Sequence, residues 1–292
     1  MDEKDFLADR FETHRGHLHA VAYRMLGSVS EADDAVQEAW LRVARHGADD
    51  VENLGGWLTT IVGRVCLNML RSRGQRAEQP LGVHLPDPVV NRAEPQDPAD
   101  EAVLADSVGL ALLVVLEALA PAERLAFVLH DLFAVPFDEI APIVGRTPAA
   151  TRQLASRARR RVQGTPAPDA DLARQRAVVD AFLTAARGGD FEGLLAILDP
   201  NVVVRTDWGA LRPGEVVRGA DTVAGNAITY TRLAGSTRPV LVNGAAGFVS
   251  YAKDGTPFSV MAFTITDGKI VEMASLAGPD RLSTIDLTLL ED

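Results

Sequence analysis

The stretch LEALAPAERLAFVLHDLFAVPFDEIAPIVGRTPAATRQLASRARRRV, Leu116 to Val162, decides how the chain is read. A short apolar helix from Phe137 to Val144 runs into Gly145, and Thr147-Pro148 then opens a second helix. Thr147 suits the N-cap, where its hydroxyl can accept from a backbone N–H, and Pro148 suits the first helical position, where no N–H is needed. On the second helix Leu154, Ala158 and Val162 recur at four-residue spacing and are expected to face inward. Arg152, Ser156 and Arg159 then share the opposite face, flanked by Gln153 and Arg160. Two helices joined by a glycine-bearing turn, the second presenting arginines and small polar groups, form the helix-turn-helix pattern that fits a DNA major groove. The plainer alternative is a basic helix end that only faces water.

Working outward, 292 residues give room for two or three domains, each able to bury a core. A hydrophobic content of 47% is that of a globular chain. No apolar run approaches membrane-spanning length; Val108 to Leu119 is only about a dozen residues and reads as a buried helix. The start, MDEKDFLADRFE, is acidic where a secretory signal is basic and then apolar, so a cytoplasmic location is expected. The single cysteine, Cys66, shares a helical face with Val62, Met69 and Leu70 and reads as core; alone it permits neither an internal disulfide nor a cysteine-based zinc site. No metal or cofactor is implied.

The net charge of −11 is unusual for a DNA-binding chain. Sorted by segment, Phe137 to Val162 holds six arginines against two acids, whereas Asp169 to Asp292 holds 11 basic and 16 acidic side chains. Phosphate neutralisation supplies most non-specific DNA affinity, so this chain alone should hold duplex DNA poorly and need a larger partner.

Residues 1–75 read as an all-helical module. Phe6, Leu7, Leu18, Val21, Ala22 and Met25 mark a helix that stops near Gly27; Ser30 with Asp33 opens a second from about Glu31 to Arg45; and a third runs from Trp57 to about Arg73. Residues 76–99 form a linker with prolines at 80, 86, 88, 95 and 98, read as an extended tether. Helices resume near Asp100, so 100–163 is the helix-turn-helix module, and 164–171 is a second short linker. From Leu172 to Asp292 two helices, Leu172 to Arg187 and Phe191 to Leu198, precede strand candidates at Val202 to Thr206, Pro239 to Val242, Gly247 to Ala252, Phe258 to Thr266 and Lys269 to Ser275. A helix near Asp221 to Leu233 follows the first strand, and Asp267-Gly268 signals a hairpin. The expected class is multidomain: two all-α modules and a C-terminal α+β domain with helices on a curved sheet.

Two further surfaces carry functional candidates. On the second helix Asp34, Gln37, Glu38 and Leu41 fall at i, i+3, i+4 and i+7, an exposed leucine amid acids that suits docking on a basic partner, or else a solvated face with one stray leucine. The third helix offers Arg64, Asn68, Arg71, Ser72, Arg73 and Arg76 near one side, able to follow a phosphate backbone and read an extruded base. Trp57 there is the lone aromatic and reads as core filler.

The segments DDAVQEAWLRV (33–43), GGWLTTIVGRVCLNMLRSR (55–73) and PAERLAFVLHDLFAVPFDEIAPIVGRTPAATRQLASRARRRV (121–162) together resemble the bacterial RNA polymerase sigma factors of the extracytoplasmic-function class. The resemblance covers residues 5 to 75 and 100 to 163. It implies that Asp34, Gln37, Glu38 and Leu41 dock on the clamp of core RNA polymerase. It also implies that Arg64 and the region Asn68, Arg71, Ser72 and Arg73 recognise the −10 element of promoter DNA. The −35 element would be read by Thr147, Thr151, Arg152, Gln153, Ser156, Arg159 and Arg160.

The C-terminal domain resembles the cone-like SnoaL-type fold fused to one subgroup of these factors. The subgroup's linker motif Trp-Leu-Pro-Glu-Pro is matched by His84-Leu85-Pro86-Asp87-Pro88, and its Asn-Pro-Asp-Lys-Leu motif by Gly278-Pro279-Asp280-Arg281-Leu282. A glycine-rich loop is partly matched from Asp207-Trp208-Gly209 to Arg212-Pro213. The resemblance implies a regulatory set of Leu85, Pro86, Asp87, Pro88, Asp207, Pro279 and Asp280. Pro142 departs from the pattern, since inside a helix it should cost stability unless that helix starts late.

Cone folds can hold an Asp–His pair, but all six histidines (14, 17, 19, 46, 84, 130) precede the domain. Acid–base work there would rest on Asp207 or Asp221 with Tyr230 or Tyr251. The expectation is therefore a non-enzymatic, monomeric initiation factor whose C-terminal domain packs on the first module and the linker and tunes the two DNA-binding modules. A small apolar ligand in that domain is the next reading. A stand-alone repressor, which would be a dimer gripping DNA without polymerase, is the competing class.

Overall fold

The computed structural model describes residues 3–46, 51, 53–75, 82–93, 109–166 and 168–290. Arg76, the ends of the linker and the helix expected from Asp100 to Val108 lie outside them. The chain divides into two units, one of Met1–Gln79 with Leu113–Gly164 and one of Pro80–Leu112 with Thr165–Asp292.

In the first unit α1 (Glu3–Leu26) ends where Gly27 takes φ 73°, and α2 (Val29–His46) and α3 (Leu54–Gln75) follow. Both later helices start earlier than the sequence suggested. Ser28, not Ser30, caps α2 through its hydroxyl and Glu31 N–H, and Asn53 caps α3 by accepting from Gly56 N–H at 3.0 Å, which draws Gly55 and Gly56 into the helix. Leu18, Val21, Met25, Ala35, Val36, Leu58, Val62 and Cys66 make the shared core. Burial pushes the Cys66 thiol up to about 12, as befits a packing residue.

The second module holds α4 (Leu110–Glu117), α5 (Pro121–Phe127) with a wider π turn at Val128–Leu132, α6 (Phe137–Val144) and α7 (Pro148–Val162). Gly145 closes α6 in the left-handed region at φ 70°, and Thr147 caps α7 by accepting from Ala150 N–H at 3.2 Å. The helix-turn-helix lies where the sequence placed it. Its inward stripe differs: Thr151, Ala155 and Ala158 are buried, while Leu154 and Val162 are only half-buried.

Pro142 stands sixth in α6, so the helix does not start late; the ring removes the N–H that would reach Asp138 O. Its position is exposed. Pro142→Ala is expected to stabilise this helix by about 1–3 kcal/mol, read as slower exchange of the amides of Phe137–Val144.

In the second unit α8 (Leu172–Gly188), α9 (Phe191–Ile197) and α10 (Ala220–Leu233) pack with the sheet around Phe182, Leu194, Val223, Phe248, Phe263 and Met273. The strands are β1 (Val90–Arg92), β2 (Leu198–Asp207), β3 (Glu215–Arg218), β4 (Ser236–Val242), β5 (Ala245–Tyr251), β6 (Pro257–Thr266) and β7 (Lys269–Ala277). Their order is β1-β4-β5-β6-β7-β2-β3, antiparallel except for β2 beside β7. A short helix, α11 (Pro279–Leu282), follows β7. This is the α+β arrangement expected of the C-terminal domain. Asp267-Gly268 turns β6 into β7 with both φ positive (55° and 73°), and Asn243-Gly244 does the same for β4 and β5 (49° and 77°).

The proline-rich linker is not a free tether over its described part. β1 pairs antiparallel with β4, Val90 opposite Val242 and Arg92 opposite Val240. It is an edge strand, the one place in a sheet where neighbouring prolines are tolerated. The second linker is stitched down as well, since the Asp169 carboxylate accepts from Asp267 N–H and Gly268 N–H at the β6–β7 turn.

Candidate functional site

On α2 the acidic face is exposed as expected: Asp34, Gln37 and Glu38 face solvent and Leu41 is 46% exposed, with Glu38 holding Arg42 at 2.5 Å. Arg64, Asn68, Arg71 and Ser72 are exposed on α3, while Arg73 is partly covered and pairs with Glu31 of α2. Glu31, Glu38, Arg42, Asn68, Ser72 and Arg73 line one groove, so the two candidate sets of this module meet.

On α7 the outer face carries Arg152, Gln153, Ser156 and Arg160, all exposed, with the Arg152 guanidinium 5.3 Å from the Phe137 ring centre. Arg159 is half-buried and bound to Asp131 at 2.5 Å. Thr147 is exposed but spent on the cap. Thr151 is fully buried and its hydroxyl donates to Thr147 O at 3.0 Å, which removes it from the outer face. The helical turn explains this: residues 151, 155 and 158 lie at i, i+4 and i+7 and point together into the module.

The two helical modules touch each other. Gly63 of α3 lies under Leu125 and Leu129, so that a Cβ there would come 3.0 Å from Leu129 and 3.2 Å from Leu125 methyls. Phe133 meets the His17 ring edge-on at 5.1 Å and the Arg24 guanidinium at 4.9 Å. Arg124 is buried and donates through Nε to Arg24 O at 3.2 Å. Burial pulls its guanidinium down to about 10 despite help from Glu117. A glycine inside a helix is the only local mark of this contact.

The linker and loop residues expected to be regulatory gather around Arg281, which belongs to the matched motif but not to the expected set. Its Nε donates to Asp207 Oδ2 at 2.9 Å, its Nη1 to Asp87 Oδ1 at 2.8 Å and its Nη2 to Leu85 O at 2.6 Å, all buried. Leu85 N–H donates to Asp207 Oδ2 at 2.9 Å, and Val89 N–H to Asn243 Oδ1 at 3.1 Å. Leu85, Pro86, Asp87 and Pro88 are buried. Pro279 and Asp280 are exposed at the start of α11, and the ties run through the next residue instead. At Gly214 a Cβ would lie 2.2 Å from Val83 O, so the linker backbone seats directly on the loop before β3.

Although the domain has no histidine of its own, the linker brings one: His84 Nδ1 lies 3.2 Å from Asp207 Oδ2. Burial pushes the Asp207 carboxyl upward, but His84, the N–H groups of Leu85 and Gly209, and Arg281 outweigh it and hold the group well below the usual carboxylate range. A carboxylate so firmly ionised and enclosed serves as an anchor. Among the described residues no cluster of His, Cys, Asp and Glu could hold a metal, and no helix is long and apolar enough to cross a membrane.

Comparison with known proteins agrees with this anatomy. The family model for Sigma-70 region 2 matches residues 10–76, and that for Sigma-70 region 4 matches residues 109–162. The chain is 39% identical over 290 residues to ECF RNA polymerase sigma factor SigJ of Mycobacterium tuberculosis, covering 94% of this chain and 92% of that protein. It is 36% identical to the probable ECF RNA polymerase sigma factor SigI of the same organism, covering 98% of each. The crystal structure of M. tuberculosis SigJ superposes with a TM-score of 0.78 at 35% identity, over 96% of this chain and 99% of that one, so the likeness includes the C-terminal domain. Both helical modules, their order and the fused domain are thus shared along the whole length, and the chain belongs to the ECF RNA polymerase sigma factors, which direct core polymerase to promoters.

Proposed function

We propose that this sigma factor is regulated in cis, its C-terminal domain controlling the linker that sets how far the two DNA-binding modules can part. The observation that carries this is the linker itself: residues 85–88 are buried against the C-terminal domain and residues 90–92 form an edge strand of its sheet. Elements centred at −35 and −10 lie about 25 base pairs apart, roughly 85 Å at 3.4 Å per step. Modules touching at Gly63 and Leu129 must therefore separate to span them, and a shift of a few kcal/mol between closed and open forms is enough to switch the factor.

In this reading Asp34, Gln37, Glu38 and Leu41 dock on the polymerase clamp. Arg64, Asn68, Arg71, Ser72 and Arg73 read the −10 element, and Arg152, Gln153, Ser156, Arg159 and Arg160 read the −35 element. Arg159 must then leave Asp131. The free chain acts as a cytoplasmic monomer without catalytic activity of its own.

Run-off transcription with purified core polymerase tests the docking assignment. Leu41→Arg puts a positive charge at the centre of the acidic face and is expected to lower polymerase affinity at least about tenfold, the loss of one buried anchor. Unchanged affinity would remove α2 from the interface. Tight DNA binding by the full chain without polymerase would favour the repressor reading.

A further inference from the structure

The C-terminal domain contains a cavity of about 100 Å³, partly open, between α8, α10 and the sheet. Phe182, Phe248, Met261 and Met273 supply apolar walls. Its floor is not uniformly apolar. Successive sheet-facing positions bring Thr206 of β2, Ser250 of β5, Ser259 of β6 and Ser275 of β7 into the lining. Ser250 stands opposite Ser259, and Thr206 opposite Ser275, giving two cross-strand hydroxyl pairs. All four residues are at least nine-tenths buried. None of their hydroxyls is engaged by another described residue, and all four open onto the cavity. Trp208, also in the lining, has a sealed Nε1–H without a hydrogen-bond partner among the described residues.

Hydroxyls recessed in a cavity and a sealed indole N–H cost free energy when unpartnered, so the hydroxyls are free to pair with water or with a polar group on a ligand. No residue of the lining carries a charge, which excludes an ionised occupant from a place where its desolvation would go unmatched. The cavity is smaller than the apolar one of about 150 Å³ that takes benzene, so it admits one ring at most, with a substituent reaching its open mouth. The linker anchor is next door: Asp207 holds Leu85 and Arg281, and its neighbour Trp208 lines the cavity. We propose that the cavity binds an uncharged aromatic ring bearing a hydroxyl group, and that its occupancy steadies the linker on the C-terminal domain. The second half rests on the linker reading given above; the first does not.

Calorimetric titration of the full chain with p-cresol, toluene and 4-methylbenzoate tests the site. The hydroxyl should make p-cresol bind roughly three- to tenfold tighter than toluene. The carboxylate should bind at least about tenfold more weakly than p-cresol. Ser259→Ala with Ser275→Ala should bring p-cresol down to the affinity of toluene and leave toluene unmoved, which also shows that the cavity is intact. Equal affinities for the three probes, no p-cresol binding at millimolar concentration, or an unmoved p-cresol affinity in the double variant overturns the site. Saturating p-cresol should slow exchange of the Leu85 amide severalfold; unchanged exchange overturns the coupling alone. Polymerase enters neither measurement, so a failure of the docking assignment would leave these results standing.

Discussion

Arg281→Met should free the linker from the C-terminal sheet. The substitution keeps the length of the side chain but leaves Asp87 and Asp207 buried, close together and without their cation. Removing one partner of a buried ion pair costs about 3–5 kcal/mol, because the remaining charge stays desolvated. Here two carboxylates lose the same guanidinium at once, although Asp207 keeps His84 and Asp87 keeps Thr284, and the hydrogen bond to Leu85 O is lost with it. The cheapest relief is for residues 84–92 to swing into water with Asp87. Exchange of the Leu85 and Val89 amides, now held by Asp207 and Asn243, should accelerate by roughly 10²–10³-fold. Limited proteolysis should cut between Val83 and Ala93. Arg281→Lys, which retains the charge but not the three-way fork, should fall between. Linker amides that exchange at the original rate in Arg281→Met would show that β1 pairing alone holds the segment.

Gly63→Leu is expected to part the two helical modules. In an open module this substitution favours α3, since glycine inside a helix is worse than other residues by up to about 1 kcal/mol. In the closed unit it is opposed, because the Cβ alone meets the Leu129 and Leu125 methyls at 3.0 and 3.2 Å and the rest of a leucine must displace them. Overpacking of this kind costs about 1–3 kcal/mol, which becomes a five- to hundredfold shift toward the open form. The interface has little to resist with, since Arg124 is buried there with Nη2 lacking a hydrogen-bond partner among the described residues. Small-angle scattering should report a larger radius of gyration, and run-off transcription should rise severalfold. An unchanged radius with unchanged polymerase affinity would sink the idea that the closed pair restrains activity.

Much of this molecule is legible in its sequence for local reasons. Thr147-Pro148 and Gly145 fix the ends of the helix-turn-helix because capping is decided within four residues. Asp267-Gly268 fixes the last hairpin because both positions need positive φ. The inward stripe of α7 was misjudged because leucine and valine outrank alanine and threonine in hydrophobicity. Ala158 is buried as expected, but Thr151 and Ala155 take the places expected of Leu154 and Val162. β3 escaped notice as only four residues between Gly214 and Gly219. β1 was hidden by its prolines, which read as a tether in isolation and as an edge strand only once β4 is beside them. The anchor around Arg281 joins residues 74 and 194 positions apart, and no spacing rule reaches that far.

The pairing of β1 with β4 has a consequence for the released form. While Val90–Arg92 lies along Val240–Val242, the backbone groups of β4 on that side are satisfied. A liberated linker bares them, and a bare apolar strand edge is a template for another chain. Activation by undocking, as proposed, would thus trade a quiet, self-capped sheet for an adhesive one. The lifetime of the liberated state would be governed by protein concentration, as in a donor-strand exchange, so that crowded, unengaged copies would quench one another.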